Sequence, residues 1–141
     1  MSSTTERAGL RYIHPQDVET QLFDWGTIKW FSEPNVTDAQ KFSMGVVNLK
    51  PGKGHTRHNH PEEEEVLYVV SGEGEQTVND GPVTRISAGM CIHIPAGVYH
   101  STVNTGWETL KLVAIYSPHG PEKVLREDPN CKILDPGQLP D

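Results

Sequence analysis

The chain is 141 residues long and carries a formal net charge of -7, from 12 Lys and Arg against 19 Asp and Glu. An acidic balance of this kind argues against nucleic-acid or anionic-membrane partners, which need clustered cations. Cys91 and Cys131 lie far apart with no C-x-x-C spacing, which predicts reduced thiols, and no apolar run approaches the roughly 18 residues of a membrane span.

The segment Met1–Arg7 lacks the apolar stretch of a signal peptide, so the expected location is cytoplasmic. In chain order, Asp17–Phe23 after Pro15 reads as a turn or two of helix. Thr27–Phe31 reads as a strand, with Trp25 and Trp30 as packing residues. Phe42–Leu49, Glu65–Ser71, Glu75–Asn79, Met90–Ile94, Ser101–Asn104 and Leu110–Tyr116 are short runs rich in Val, Ile, Leu, Thr and Tyr, which predicts strands. Turn chemistry separates them at Pro51-Gly52, Ser71-Gly72, Asn79–Pro82, Ala88-Gly89, Pro95–Gly97 and Thr105-Gly106. From Ser117 onward the chain is Pro-rich and predicts extended coil over the surface, with a helical turn near Glu122–Arg126. The whole predicts an all-β sandwich or barrel in one domain, 1–141, with its core at about 25–118 and extended N- and C-terminal segments.

Two stretches carry chemistry. In the first, Gly52 to Gly72, His58 and His60 stand two apart, so an extended strand sends both imidazoles from one face, and Glu65 follows. In the second, Gly89 to Asn104, His100 stands alone on another predicted strand. Nitrogen and oxygen donors without sulfur suit a divalent transition ion. Glu64 is the competing carboxylate. His55 has the opposite parity to His58 and is expected at the rim or beside the ligands rather than as a ligand, while His93 alternates with Ile92 and Ile94 and is expected on the outer face or at an interface. Gln76 shares parity with Val78 and can point inward, where a buried amide needs partners. Tyr99 and Thr102 flank His100 and are candidates to line the cavity. Trp107 is expected in the core or at an interface, and His14 and His119 in solvent.

The two stretches resemble the signature motifs of the cupin superfamily. The first motif runs glycine, five residues, His-x-His, three or four residues, glutamate, six residues, glycine; Gly52, His58, His60, Glu65 and Gly72 meet it. The second runs glycine, five residues, Pro-x-Gly, two residues, histidine, three residues, asparagine; Gly89, Pro95, Gly97, His100 and Asn104 meet it. Met90 stands where many cupins carry Asp, a departure that touches no ligand. The resemblance implies a double-stranded β-helix, or jelly-roll, barrel around one divalent metal (Fe, Mn, Ni, Zn, Co or Cu) held by His58, His60, Glu65 and His100. It also implies a small-molecule substrate that chelates the ion. Gln76 and Tyr99 are then the first candidates for catalytic proton transfer or orientation. Family frequency favours dioxygenase-like oxidoreductase chemistry, with a metal-dependent isomerase, lyase or cyclase, or a non-catalytic ligand-sensing cupin, as alternatives. Small cupins commonly pair, which implies a homodimer in which Trp25–Phe31 adds to the partner's sheet.

Overall fold

The computed structural model describes residues 9–140. Its strands are β1 (Thr20–Phe23), β2 (Gly26–Ser32), β3 (Ser43–Leu49), β4 (Gly54–His58), β5 (Glu64–Ser71), β6 (Glu73–Val78), β7 (Thr84–Ser87), β8 (Cys91–Ile94), β9 (His100–Asn104), β10 (Leu110–Ser117) and β11 (Lys132–Leu134). Two short helices, α1 (Pro34–Thr37) and α2 (Pro121–Arg126), interrupt them. All the strand pairs are antiparallel. They form a seven-stranded sheet in the order β11-β1-β2-β3-β10-β5-β8 and a four-stranded sheet in the order β4-β9-β6-β7. This is the jelly-roll architecture that the family resemblance implies. Among the described residues no helix is long and apolar enough to cross a membrane.

Alternation builds the interior. β3 buries Ser43, Gly45, Val47 and Leu49, β5 buries Glu65, Leu67 and Val69, and β10 buries Leu110, Leu112, Ala114 and Tyr116. Of these, Val47, Leu49, Leu67, Val69, Leu110, Leu112, Ala114 and Tyr116 join Phe23, Ile28, Trp30, Ile86, Ile92 and Ile94 in one apolar cluster between the sheets. Each large aliphatic side chain so buried stabilises the fold by roughly 1.5–3 kcal/mol. Gly45 makes room for the Trp30 indole, since a Cβ there would stand 2.9 Å from Cε3 of that ring. The indole N–H donates to Gln21 Oε1 at 3.0 Å, which lets a buried Trp keep its polar edge satisfied.

Several expectations are corrected. Beyond Asp17 the stretch Asp17–Phe23 is not helical. One turn of 3-10 helix occupies Pro15–Asp17, and Thr20–Phe23 is β1, bonded to β2 and to the distant tail strand β11. The Pro-rich tail therefore contributes an edge strand between Pro129 and Pro136, and its helical turn is α2. Within Trp25–Phe31, Gly26–Ile28 are paired on both sides, by β1 and β3. Trp107 is 98% exposed on the turn before β10, so it belongs to no core.

Candidate metal centre

β4 runs toward the mouth of the small sheet and ends at His58, where the register with β9 shifts between His55 and His58. The pairing then sets His58 opposite His100. His60 lies beyond the strand end, in the loop that leads to β5. That loop is tied to the second motif: Gly97 N–H donates to His60 O at 2.9 Å, and Asn59 Nδ2 donates to Gly97 O at 3.2 Å. Gly97 holds φ at +78°, the left-handed turn that lets the chain reverse and send His100 inward. At the far end of β9, buried Asn104 donates from Nδ2 to Leu49 O and to Glu108 O, each at 2.8 Å, and accepts from Gly106 N–H at 2.9 Å. The motif's asparagine thus fastens the strand that carries His100 and touches no ligand.

The coordinating atoms of His58, His60 and His100 all lie within 4.8 Å of one another, close enough to share an ion. Glu65 comes from β5 in the other sheet, and its Oε1 stands 3.1 Å from His100 Nε2 and 3.6 Å from His60 Nε2. Neighbouring Glu64 points the opposite way and bonds the exposed ring of His93 at 3.0 Å. Strand alternation therefore separates the two carboxylates by face.

Two backbone carbonyls orient the rings. Thr56 O lies 2.6 Å from Nδ1 of His58, and Val98 O lies 3.1 Å from Nδ1 of His100. A proton on each Nδ1 satisfies those carbonyls and leaves the Nε2 lone pair free for an ion. His60 Nε2, His100 Nε2 and Glu65 Oε1 are buried, and none has a hydrogen-bond partner among the described residues. The 3.1 Å approach of Glu65 to His100 is a hydrogen-bonding distance without hydrogen-bonding alignment. Buried polar atoms that stay unpaired are costly, and three of them converging mark a place built for a missing partner. The residues present fit a divalent cation bound by imidazole and carboxylate.

Burial lowers the pKa of His58 and carries that of His60 down to about 4, so both imidazoles are neutral at pH 7. Burial also disfavours the charged forms of His100 and Glu65, but their mutual attraction outweighs it. His100 is raised and Glu65 lowered from the ordinary values. Tyr116, fully enclosed and beside Glu65, is pushed well above the usual phenol range and stays neutral. Its ring packs edge-on to His60 at 5.0 Å. Leu67 and Val69, on the same face as Glu65, give the centre apolar surroundings.

Of the two residues expected to assist catalysis, Gln76 is buried on the inner face of β6, and its Oε1 accepts from Thr102 Oγ1 at 2.5 Å. Tyr99 is 41% exposed, and the Arg57 guanidinium covers its ring at 3.9 Å while pairing with Asp80. The structure brings Gln76 inside and leaves Tyr99 at the surface, because His100 points inward and its sequence neighbour must point out. Of the two places expected for His55, the structure gives the one beside His58 rather than the rim. Its ring stands 5.6 Å from His58 and 4.3 Å from Trp25, and its Nε2 is buried without a partner. His119 is half-buried, with Nδ1 3.5 Å from Glu122.

Residues 45–116 match the family described as the cupin domain. Protein SchB of Streptomyces halstedii is 32% identical over 79% of this chain and 80% of its own length. The polyketide synthase CurC of Streptomyces cyaneus is 29% identical over 82% of this chain and 74% of its own. Among solved structures, the polyketide cyclase RemF of Streptomyces resistomycificus superposes with a TM-score of 0.68 at 20% identity, covering 79% of this chain and 82% of that one. The motifs, the barrel and the matched span agree, and the protein belongs to the cupin family.

Proposed function

We propose that the protein is a metal-dependent enzyme acting on a small, oxygen-rich substrate that chelates the ion through neighbouring oxygens. The observation that carries this reading is the set of unpaired, buried donor atoms on His60, His100 and Glu65, facing one another beside His58. His58, His60, Glu65 and His100 would hold one divalent ion, of the set Fe, Mn, Ni, Zn, Co or Cu. When bound, that ion supplies Lewis acidity toward a chelated oxygen and so acidifies the neighbouring C–H or O–H. The chain's own residues do the rest. The Thr56 and Val98 carbonyls hold two rings in the binding tautomer, Leu67 and Val69 keep bulk water away, and Gln76 offers an amide to orient the guest.

Among the reaction classes open to such a site, the similarity to CurC, a polyketide synthase, supports carbonyl chemistry of the cyclase type on a poly-β-ketone or a phenol derived from one. Dioxygenase chemistry shares the same ligand set and is separated by one measurement. The metal-loaded protein is mixed with β-diketones, triketones and polyphenols while dioxygen and substrate absorbance are followed together. Loss of the diketone absorbance without dioxygen uptake supports the cyclase reading. Stoichiometric uptake of dioxygen overturns it in favour of an oxidoreductase. Tight binding without turnover overturns both and leaves a ligand-sensing module. A homodimer in which Trp25–Phe31 lies at the contact belongs to this reading too, and a solution mass equal to one chain would end it.

A further inference from the structure

Beside the metal-ligand row lies a second polar row. On the four-stranded sheet, antiparallel register pairs His58 with His100 and His100 with Val78. The adjacent inward-facing row pairs His55 with Thr102, Thr102 with Gln76, and Gln76 with Thr84. Directly opposed residues share a face, so His55, Thr102 and Gln76 stand side by side on the inner wall. An interior row two strands from an apolar core is expected to be Val, Ile or Leu. Here it is imidazole, hydroxyl and amide.

The hydrogen bonds within this row are incomplete. Thr102 donates to Gln76 Oε1 at 2.5 Å, and Gln76 Nε2 spends a bond only on the adjacent Thr77 O at 3.2 Å. The amide therefore keeps one N–H to offer. His55 Nε2 is shielded from solvent and has no hydrogen-bond partner among the described residues. Its ring is held rather than loose: Trp25 meets it edge-on at 4.3 Å, and Phe23 stacks on Trp25 at 4.5 Å with the planes 8° apart. His55 lies outside the cluster of mutually close coordinating atoms formed by His58, His60 and His100.

We infer that His55, with Gln76 and Thr102, forms a hydrogen-bonding subsite for a further oxygen of the chelated guest, so that the preferred ligand class carries a third carbonyl or hydroxyl beyond the chelating pair. His55 is the positioning residue, and Trp25 is the apolar wall that fixes its ring. The inference rests on the metal-dependent reading above. It narrows that reading from any chelating diketone or diol to a linear triketone or its phenolic counterpart.

Two probes separate the possibilities: acetylacetone, which has only a chelating pair, and diacetylacetone, which adds a third carbonyl. Each is titrated into the cobalt(II)-loaded full chain and followed by the visible spectrum of the ion, for wild type, His55→Phe and His55→Gln, with cobalt content measured on the same samples. Wild type should bind diacetylacetone more tightly than acetylacetone. His55→Phe should keep one cobalt per chain, bind acetylacetone as wild type does, and bind diacetylacetone about tenfold more weakly, the loss of one buried hydrogen bond. His55→Gln, which restores a donor and an acceptor, should recover part of that loss. Equal affinity of wild type for the two probes overturns the inference, as does an identical diacetylacetone affinity in His55→Phe, which would leave an ordered water as the partner of His55. Loss of cobalt from both variants also overturns it, by making His55 a ligand. If wild type holds cobalt but binds neither probe, the parent reading falls, and this inference with it.

Discussion

Glu64 and Glu65 are adjacent, chemically alike and opposite in consequence. Glu65 is 3% exposed and faces two imidazoles across the barrel, whereas Glu64 bonds an exposed histidine on the outer face. Glu65→Gln keeps the shape and removes the charge, and should weaken divalent-metal binding by about 100-fold, since even outer partners of metal ligands are worth 10–100-fold. Glu64→Gln should leave it unchanged, as calorimetric titration of the two variants will show. This distinction was legible in the sequence, because the six-residue interval to Gly72 favours Glu65. The interior position of His55 was legible only as one of two alternatives. Parity counted from His58 places it outside, and the register shift between His55 and His58 reverses that parity. A bulge of this kind leaves no composition signal in Thr56-Arg57.

Elements are held by a few non-local ties, and these were the least readable part. Leu22 lies four residues after Val18, a helical interval, yet the segment is a strand because β11, arriving more than a hundred residues later, completes its ladder. β7 buries only Ile86, too little alternation to announce a strand. The tail is latched as well. Gln21 Nε2 donates to Glu122 O at 3.0 Å, and Arg126 reaches Glu19 at 2.7 Å and Glu33 at 2.9 Å. Glu33 is buried, and that burial raises its pKa against the opposing pull of Arg126. Arg126→Met strands a buried carboxylate and should cost about 3 kcal/mol at pH 7. The sign of its pH dependence follows from linkage. A carboxyl raised in the folded state binds its proton better there than in the unfolded chain, so stability falls as pH rises above the ordinary carboxyl range. The variant's urea midpoint should therefore recover toward wild type on going from pH 7 to pH 5. Gly72 makes a backbone test. Its φ is +89°, and a Cβ would meet Thr109 O at 2.6 Å. Gly72→Ala should lose about 1–3 kcal/mol from the left-handed conformation alone, with the contact adding to it, read from the same urea transitions.

Over the whole molecule, the barrel was legible because each motif glycine, proline and asparagine falls at a turn or a staple that two-residue alternation cannot supply. What the barrel encloses sets its response to pH. Burial lowers His58 from the ordinary histidine value and brings His55 and His60 to about 4, while contact with Glu65 raises His100. The unfolded chain protonates the three depressed imidazoles more readily than the folded one, so acid favours unfolding between about pH 6.5 and 4, with His100 opposing. The metal-free protein should thus melt at progressively lower temperature from pH 7 to pH 5, in a thermal scan followed by circular dichroism, and saturating metal should raise the Tm at pH 7. All of this turns on three histidines and one glutamate sharing an ion. Elemental analysis of the wild-type protein and of the His58→Ala/His100→Ala variant, each dialysed after exposure to divalent metal, tests it most directly. One metal per wild-type chain and none in the folded variant is the predicted result; equal metal in both, or none in either, would contradict it.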